Sequence, residues 1–286
     1  VIGMSTESPS RTVAATLADA TARLAAAGVP EPRADAEVLL ANALRTNRAG
    51  LVVRAREAIP NDATARLGPL LRRREGREPV SHLVGEREFW SLPIRVDRRV
   101  LTPRPETELL VETVCRLGGR RLLDAGTGSG AIAAAVAREL PAARVVASDR
   151  SCDALDVARM NLATLAPAVT LVRADWLAPF APASFDVVVS NPPYIPDADL
   201  AGLEPEVRDF EPLSALAAGP DGLQAFRVLV TQAPAVLAPG GWLVVEMGAG
   251  QSQAVQNLVG VVGQYARCVV ERDVAGIERM LAAQVA

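Results

Sequence analysis

Leu122-Leu123-Asp124-Ala125-Gly126-Thr127-Gly128-Ser129-Gly130 runs from an apolar stretch into a glycine-rich turn, and residues 131–140 follow with the spacing of a helix. Glycines let a backbone turn sharply and approach a ligand where a β-carbon would collide. The spacing is G-x-G-x-G and not the G-x-G-x-x-G of dinucleotide binders. A turn of this kind also serves simply to pack a helix on a strand, so its surroundings decide its meaning. From Arg121 onward, short β-branched runs alternate with helical ones. Strands are expected at 121–125, 144–149, 169–174, 186–190, 242–247, 268–272 and 279–283. Helices are expected at 131–140, 153–165, 223–237 and 251–262. Strands separated by helices imply crossover connections and a mostly parallel α/β sheet, here seven-stranded, covered on both faces. Ligands of such sheets sit at the carboxyl ends of the strands.

The polar residues fall at those ends. The second strand stops at Asp149, where an acid can accept hydrogen bonds from both hydroxyls of a ribose. The third is followed by Asp175-Trp176: a carboxylate can bond an adenine amino group and an indole can cover the ring face. Gly126, Thr127, Gly128, Ser129 and Gly130, with Asp149, Asp175 and Trp176, thus describe a pocket for an adenosine-bearing ligand. No lysine or arginine accompanies the turn to hold phosphates, which favours a nucleoside without them. S-adenosylmethionine is such a ligand.

The front of the chain has a different rhythm. Val13, Leu17, Ala20 and Leu24 recur at helical spacing, and Gly28-Val29-Pro30 stops the run. Pro32 opens a second helix with Ala36, Leu39, Leu40 and Leu44 on one face. A third covers 48–56, and a fourth runs from Asp62, read as its N-cap, through Leu67, Leu70 and Leu71 to Arg74. Short helices with short connections predict a small bundle. Glu88-Phe89-Trp90 and Leu92-Pro93-Ile94-Arg95-Val96 read as a β-hairpin linker. Leu101-Thr102-Pro103-Arg104-Pro105-Glu106-Thr107-Glu108 then enters a helix, with Pro105 in its first turn and Glu106 and Glu108 at the positive end of its dipole. The expected division is 1–84 helical bundle, 85–102 hairpin linker and 103–286 α/β domain.

Composition excludes several chemistries. All 30 basic residues are arginine, so a lysine Schiff base and a Walker-type lysine are ruled out. Cys115, Cys152 and Cys268 are odd in number and far apart, which makes neither a disulfide framework nor a metal-ligand set. His82, the one histidine, has no motif around it and reads as structural. No metal is expected. Residues 1–100 carry a net +4 and residues 101–286 a net −7, which argues against general nucleic-acid binding. No apolar run approaches the roughly 20 residues of a membrane span, and residues 1–9 lack the pattern of a secretory signal. Val1-Ile2-Gly3 precedes Met4 and reads as a remnant or an alternative start. A cytoplasmic location is expected.

The fourth expected strand runs into Asn191-Pro192-Pro193-Tyr194. This tetrapeptide, downstream of a G-x-G-x-G turn, resembles that of methyltransferases acting on planar nitrogens. An amide nitrogen is a weak nucleophile because its lone pair is delocalised, so it must be held in line with the methyl donor. The Asn191 side-chain oxygen and the Pro192 carbonyl can accept its two N–H groups, and prolines keep those acceptors pre-placed. Tyr194 can pack on the amide plane and stabilise positive charge developing on nitrogen. The tetrapeptide alone does not choose between adenine in nucleic acid and glutamine in protein.

The rest of the chain does. From about Leu17 to Ala283 it resembles the HemK/PrmC family of protein-(glutamine-N5) methyltransferases. The resemblance is carried by Glu78-Pro79-Val80, Gly85-Glu86-Arg87-Glu88-Phe89-Trp90 and Pro103-Arg104-Pro105-Glu106-Thr107-Glu108, by the stretches 124–133 and 191–195, by Phe210-Glu211-Pro212, Leu216 and Gly219-Pro220-Asp221-Gly222-Leu223, and by Arg272-Asp273. It implies a class I, Rossmann-like methyltransferase fold and methyl transfer from S-adenosylmethionine to the glutamine of the Gly-Gly-Gln motif in class 1 peptide chain release factors. It implies that Gly126–Gly130, Asp149, Trp176 and Asn191 hold the methyl donor, that Asn191, Pro192, Pro193 and Tyr194 hold the glutamine, and that the helical bundle helps recognise the partner. Asn191, Pro192 and Tyr194 are the expected catalytic residues. Departures are few: Ala125 stands where a larger apolar residue is common, Arg150 follows the ribose acid, and the bundle matches in pattern more than in letters. The alternative is an N6-adenine methyltransferase acting on nucleic acid.

Overall fold

The structure, a computed structural model, describes residues 11–286. The readings of residues 1–9 and of Val1-Ile2-Gly3 lie outside the described residues. Two compact units are present: one runs to Gly85 and takes in Pro205–Phe210, the other comprises Glu86–Glu204 and Glu211–Ala286.

The first unit holds α1 (Val13–Ala26), α2 (Pro32–Ala43), α3 (Arg48–Val53), α4 (Asn61–Glu75) and α5 (Val80–Val84). Thr12 starts α1 by accepting the Ala15 amide at 3.2 Å, and Asn47 starts α3 by accepting that of Gly50 at 2.8 Å. The helical spacing of Val13, Leu17, Ala20 and Leu24 becomes a buried stripe, packed with Leu39 and Leu40 of α2 and Leu67 and Leu71 of α4. Asp62 is not the N-cap of α4: Pro60 holds that position, and Asp62 sits in the first turn, pairing with Arg66 at 2.8 Å. A proline needs no amide partner and already has the extended backbone of a cap. α5 is too short to show a period, and Gly85 ends it at φ +80°. Arg74 is buried and bonds Asp35 at 2.7 Å and Glu206 at 2.8 Å. Glu206 lies on α9 (Pro205–Arg208), in the segment this unit takes in, and receives a second guanidinium from Arg77 at 2.7 Å.

The second unit opens with the hairpin β1 (Glu86–Phe89) and β2 (Leu92–Arg95). Its loop residues Trp90 and Ser91 both take positive φ, 52° and 55°, the geometry of a two-residue hairpin turn that glycine and asparagine usually fill. Glu108 accepts the Trp90 amide at 2.7 Å and Glu139 accepts its indole N–H at 2.8 Å, which hold that turn. A 3-10 turn at Pro105–Thr107 leads into α6 (Glu108–Leu117).

β3 (Arg121–Ala125), β4 (Arg144–Asp149), β5 (Thr170–Arg173), β6 (Phe185–Ser190), β7 (Leu237–Glu246), β8 (Tyr265–Arg272) and β9 (Glu278–Val285) form one sheet in the order β5-β4-β3-β6-β7-β9-β8. Pairing is parallel from β5 to β7, and β9 is antiparallel to both its neighbours. This is the expected class I methyltransferase architecture. β7 begins five residues ahead of the expected Trp242, because the chain leaves α10 (Gln224–Val236) already extended. With α7 (Ala131–Glu139), α8 (Cys152–Leu165) and α11 (Ser252–Val262), the helices cover both faces. Alternation along the strands divides the core: Leu122, Val187 and Val189 face one layer, Leu123 and Val188 the other. The strand order reverses between β3 and β6, so a crevice opens beyond their carboxyl ends. Among the described residues no helix is long and apolar enough to cross a membrane.

Candidate active site

The glycine turn follows β3. Gly126 and Thr127 both donate their amides to the Ser148 carbonyl at 2.8 Å, which folds the turn back over the end of β4. Asp124 is buried beneath it, accepting the Thr127 hydroxyl at 2.6 Å and the Ala133 amide at 3.2 Å. Burial pushes its carboxyl up to about 7. Asp149 accepts the Gly128 amide at 3.0 Å through one oxygen and the Ser151 amide at 2.9 Å through the other. Each oxygen keeps lone-pair capacity for a further donor. Asn161 of α8, buried, donates to the carbonyls of Ser129 at 2.8 Å and Arg95 at 3.0 Å and accepts the Arg95 amide at 2.9 Å. One side chain thereby joins the turn to the hairpin.

The Asn191–Tyr194 loop follows β6, next to β3 in the sheet. The Ser190 hydroxyl donates to the Ala125 carbonyl at 2.6 Å and ties the two strand ends together. Asn191 Nδ2 donates to the Thr107 hydroxyl at 3.1 Å, which leaves Oδ1 as the acceptor of that amide. The Tyr194 hydroxyl donates to Glu246 Oε1 at 3.4 Å, and its carbonyl accepts Gln251 Nε2 at 2.9 Å. Burial and the Glu246 charge push the Tyr194 phenol up, so it stays a proton donor. The segment after Pro212 is zipped to the loop: Ile195 donates to the Leu216 carbonyl at 3.0 Å and accepts the Ala218 amide at 2.9 Å.

Beside both ends lies a cavity of about 520 Å³, the size of small-molecule sites in general. Gly126, Thr127, Gly128, Ser129, Asp149, Asp175, Trp176, Asn191 and Pro193 line it. Gly130, Pro192 and Tyr194 do not. A β-carbon on Gly130 would stand 3.3 Å from that of Ala158, so this glycine lets α7 pack on α8. Pro192 is buried, and Tyr194 turns its hydroxyl to Glu246. Trp176 holds φ at +52°, a conformation that costs an L-residue free energy and that clusters at functional sites.

Sequence reading missed several parts of this site. Thr107, Glu246, Gln251 and Asn161 have no local signature, because each acts on a partner distant in the chain. Arg98 and Arg99 also line the cavity, from the segment after the hairpin. Two of the stretches that carry the resemblance meet in the structure: buried Glu211 accepts the Arg104 guanidinium at 2.8 Å and the Thr102 amide at 3.3 Å. Arg272 and Asp273 serve the β8–β9 turn, where Asp273 accepts the amides of Ala275 and Ile277 at 2.9 Å each.

The cavity fits a nucleoside sulfonium. A β-carbon on Gly128 would meet no atom within 4 Å, so the backbone there is open to a ligand. The polar wall near the turn holds the carboxylates Asp149 and Asp175, suited to hydroxyl and amino donors, but Arg98, Arg99 and Arg150 line the cavity as well, so the expectation that no arginine accompanies the turn does not hold.

Residues 15–85 match the model of the PrmC N-terminal domain, and residues 105–202 that of the methyltransferase small domain. The chain is 44% identical over 265 residues to the release factor glutamine methyltransferase of Cereibacter sphaeroides, covering 92% of this chain and 95% of that one. It is 45% identical over 269 residues to the protein of the same name from Moorella thermoacetica, with the same shares covered. Among solved structures it is similar to the hMettl16 catalytic domain in complex with MAT2A 3′UTR hairpin 6, with a TM-score of 0.56 at 16% identity, covering 71% of this chain and 80% of that one. A methyltransferase from Pyrococcus furiosus gives a TM-score of 0.50 at 21% identity, covering 68% and 88%. At these identities the structures speak for the fold alone.

Proposed function

The chain belongs to the release factor glutamine methyltransferase family, and from that premise we propose that it methylates the side-chain amide nitrogen of the glutamine in the Gly-Gly-Gln motif of class 1 peptide chain release factors. The observation that carries the reading is the meeting, at one switch point, of a nucleoside-sized cavity and an amide acceptor, Asn191 Oδ1, whose orientation the Thr107 hydroxyl sets. S-adenosylmethionine, when bound, supplies an electrophilic methyl group on its sulfonium. Gly126, Thr127, Gly128 and Ser129, with Asp149, Asp175, Trp176 and Asn191, would hold it. Gly130 belongs with them as the residue that lets the helix start so close.

The chain's own residues orient the acceptor. Asn191 Oδ1 and the Pro192 carbonyl take the two N–H groups of the glutamine amide, which aims its nitrogen lone pair. Pro192 and Pro193 keep those acceptors from wandering, so little order has to be gained on binding. Pro193 lines the cavity where the amide enters. Tyr194 backs the loop from its buried side. No strong base is needed during transfer, because the proton can leave the nitrogen after the methyl has arrived. Orientation and electrostatic fit then supply most of the rate.

The division 1–84, 85–102 and 103–286 assigns partner recognition to the helical bundle and chemistry to the sheet. No stable nucleic-acid binding is part of this reading, and a release-factor substrate places the work in the cytoplasm. The test is methyl transfer from labelled S-adenosylmethionine to a purified release factor, run beside a factor with Gln→Ala in its Gly-Gly-Gln loop and beside duplex DNA. Label is expected in the intact factor alone. Equal label in the substituted factor would refute the glutamine target, and label in DNA would favour adenine.

A further inference from the structure

β7 ends at Glu246, a residue that is 3% exposed and does not line the cavity. The chemistry above gives it no task. A buried carboxyl is costly unless it is paired, and an apolar residue would fill the same space without that cost. Here one oxygen, Oε2, has no hydrogen-bond partner among the described residues, while Oε1 accepts the Tyr194 hydroxyl.

Four groups face this carboxyl: Tyr194 from the loop after β6, Thr107 and Glu106 from the turn before α6, and Arg279 from β9. Burial and the Glu106 charge oppose ionisation. Thr107, Arg279 and Tyr194 favour it, and the balance leaves the group pushed up to about 7. Thr107 also accepts Asn191 Nδ2, so its own hydroxyl proton is free to point toward Glu246. The two ends of the Asn191–Tyr194 loop therefore converge on one carboxyl.

We propose that Glu246 is a positioning residue for the methyl-accepting loop, holding Tyr194 by its hydroxyl and, through Thr107, the side-chain amide of Asn191. What the loop accepts rests on the glutamine-methylation reading; that Glu246 holds it does not. An ionised carboxyl is acceptor-only and satisfies two hydroxyl donors together. Once protonated, it needs an acceptor itself and releases one of them. A released Thr107 hydroxyl can rotate, and Asn191 Oδ1 loses its fixed aim. The glycine turn and Asp149 share none of these bonds, so the state of Glu246 reaches the methyl donor only through Asn191 and acts mainly on the acceptor.

The chain has two tyrosines, which makes a direct test possible. Full-length protein labelled with carbon-13 at tyrosine Cζ gives two signals. Tyr265, whose hydroxyl donates to the Val230 carbonyl at 2.7 Å, is the internal control. Between about pH 5.5 and about pH 8.5 the Tyr194 signal should move through one step centred near 7 while Tyr265 stays still. E246Q should abolish the step. In the methyl-transfer assay, wild-type kcat should rise through the same range, and E246Q should lose the part of that rise that follows the Tyr194 signal. E246A should lower kcat about tenfold or more, the scale of a lost hydrogen bond to a charged group, with KM for S-adenosylmethionine within about twofold. A static Tyr194 signal, or one that still titrates in E246Q, would overturn the proposal. Absence of methyl transfer by the wild type would sink the glutamine reading, and the tyrosine signal would still decide the Glu246 contact.

Discussion

The two ends of the site are built differently. At the methyl-donor end, Asp124 holds Thr127 three residues away, Asp149 holds Ser151 two residues away, and the turn bonds the adjacent strand. At the acceptor end, Asn191 depends on Thr107 across 84 residues, and Tyr194 depends on Glu246 across 52 and on Gln251 across 57. The first end is held largely through backbone groups, by the motif itself, the neighbouring strand ends and Asn161 of α8. The second is a short loop held by side chains from two distant segments, the turn before α6 and residues 246–251 at the end of β7, so its precision depends on the packing of the whole sheet.

Removing the acceptor should have the largest effect. Asn191→Ala deletes the oxygen that Thr107 aims and should cut kcat by about a hundredfold or more, the scale seen when one positioned transition-state contact is lost. The dissociation constant of S-adenosylmethionine, measured by calorimetry, should change by less than about threefold. Equal losses in the two quantities would move Asn191 to the methyl-donor end and erase the contrast.

A pair of glycines sharpens the same contrast. A β-carbon on Gly222 would stand 2.6 Å from the Tyr194 carbonyl oxygen and 2.8 Å from Gln251 Nε2, at φ +72°. Gly128 has φ +55° but open space around it. Both Gly→Ala changes incur about 1–2 kcal/mol from the left-handed backbone, and Gly222→Ala adds about 1–3 kcal/mol of collision. In urea unfolding Gly222→Ala should be the less stable, with kcat reduced. Gly128→Ala should mainly weaken S-adenosylmethionine. Equal stability losses would mean that Gly222 is not pinned.

How far the sequence could be read follows the same division. The strand and helix periods after Arg121, the glycine turn and the placement of Asp149 and Asp175-Trp176 at strand ends are local patterns, and they show the sheet and the part of the cavity wall at the ends of β3, β4 and β5. Gly130 looks the same in the sequence whether a ligand or a helix approaches it; Ala158, 28 residues on, supplies the helix contact. Thr107 and Glu211 lie in stretches that carry the resemblance, and Pro103–Glu108 is expected to shape the pocket wall, but the atoms each one bonds are not legible, since a buried side chain's partner is fixed by tertiary contact and not by spacing. Residues 195–222 hold only short turns (Asp197–Gly202, Leu213–Ala215) and the four-residue α9, elements too short to show a period.

The smallest effect with a clear reading belongs to Asp149. Its carboxylate is proposed to take the ribose hydroxyls, and it already accepts the amides of Gly128 and Ser151. Asp149→Ala therefore acts twice at the methyl-donor end: it removes a charged acceptor from the ligand, and it frees the Gly128 amide that shapes the turn. A loss of about 1.5–3 kcal/mol in S-adenosylmethionine binding is expected, from hydrogen bonds to a charged group. No bond in the structure joins Asp149 to Asn191, Thr107 or Glu246, so kcat at saturating S-adenosylmethionine should stay within about threefold of wild type. An unchanged dissociation constant would remove Asp149 from the ribose role. A fall in kcat as large as the fall in affinity would show that the two ends, separate in their bonds, are coupled through the β3–β6 crevice.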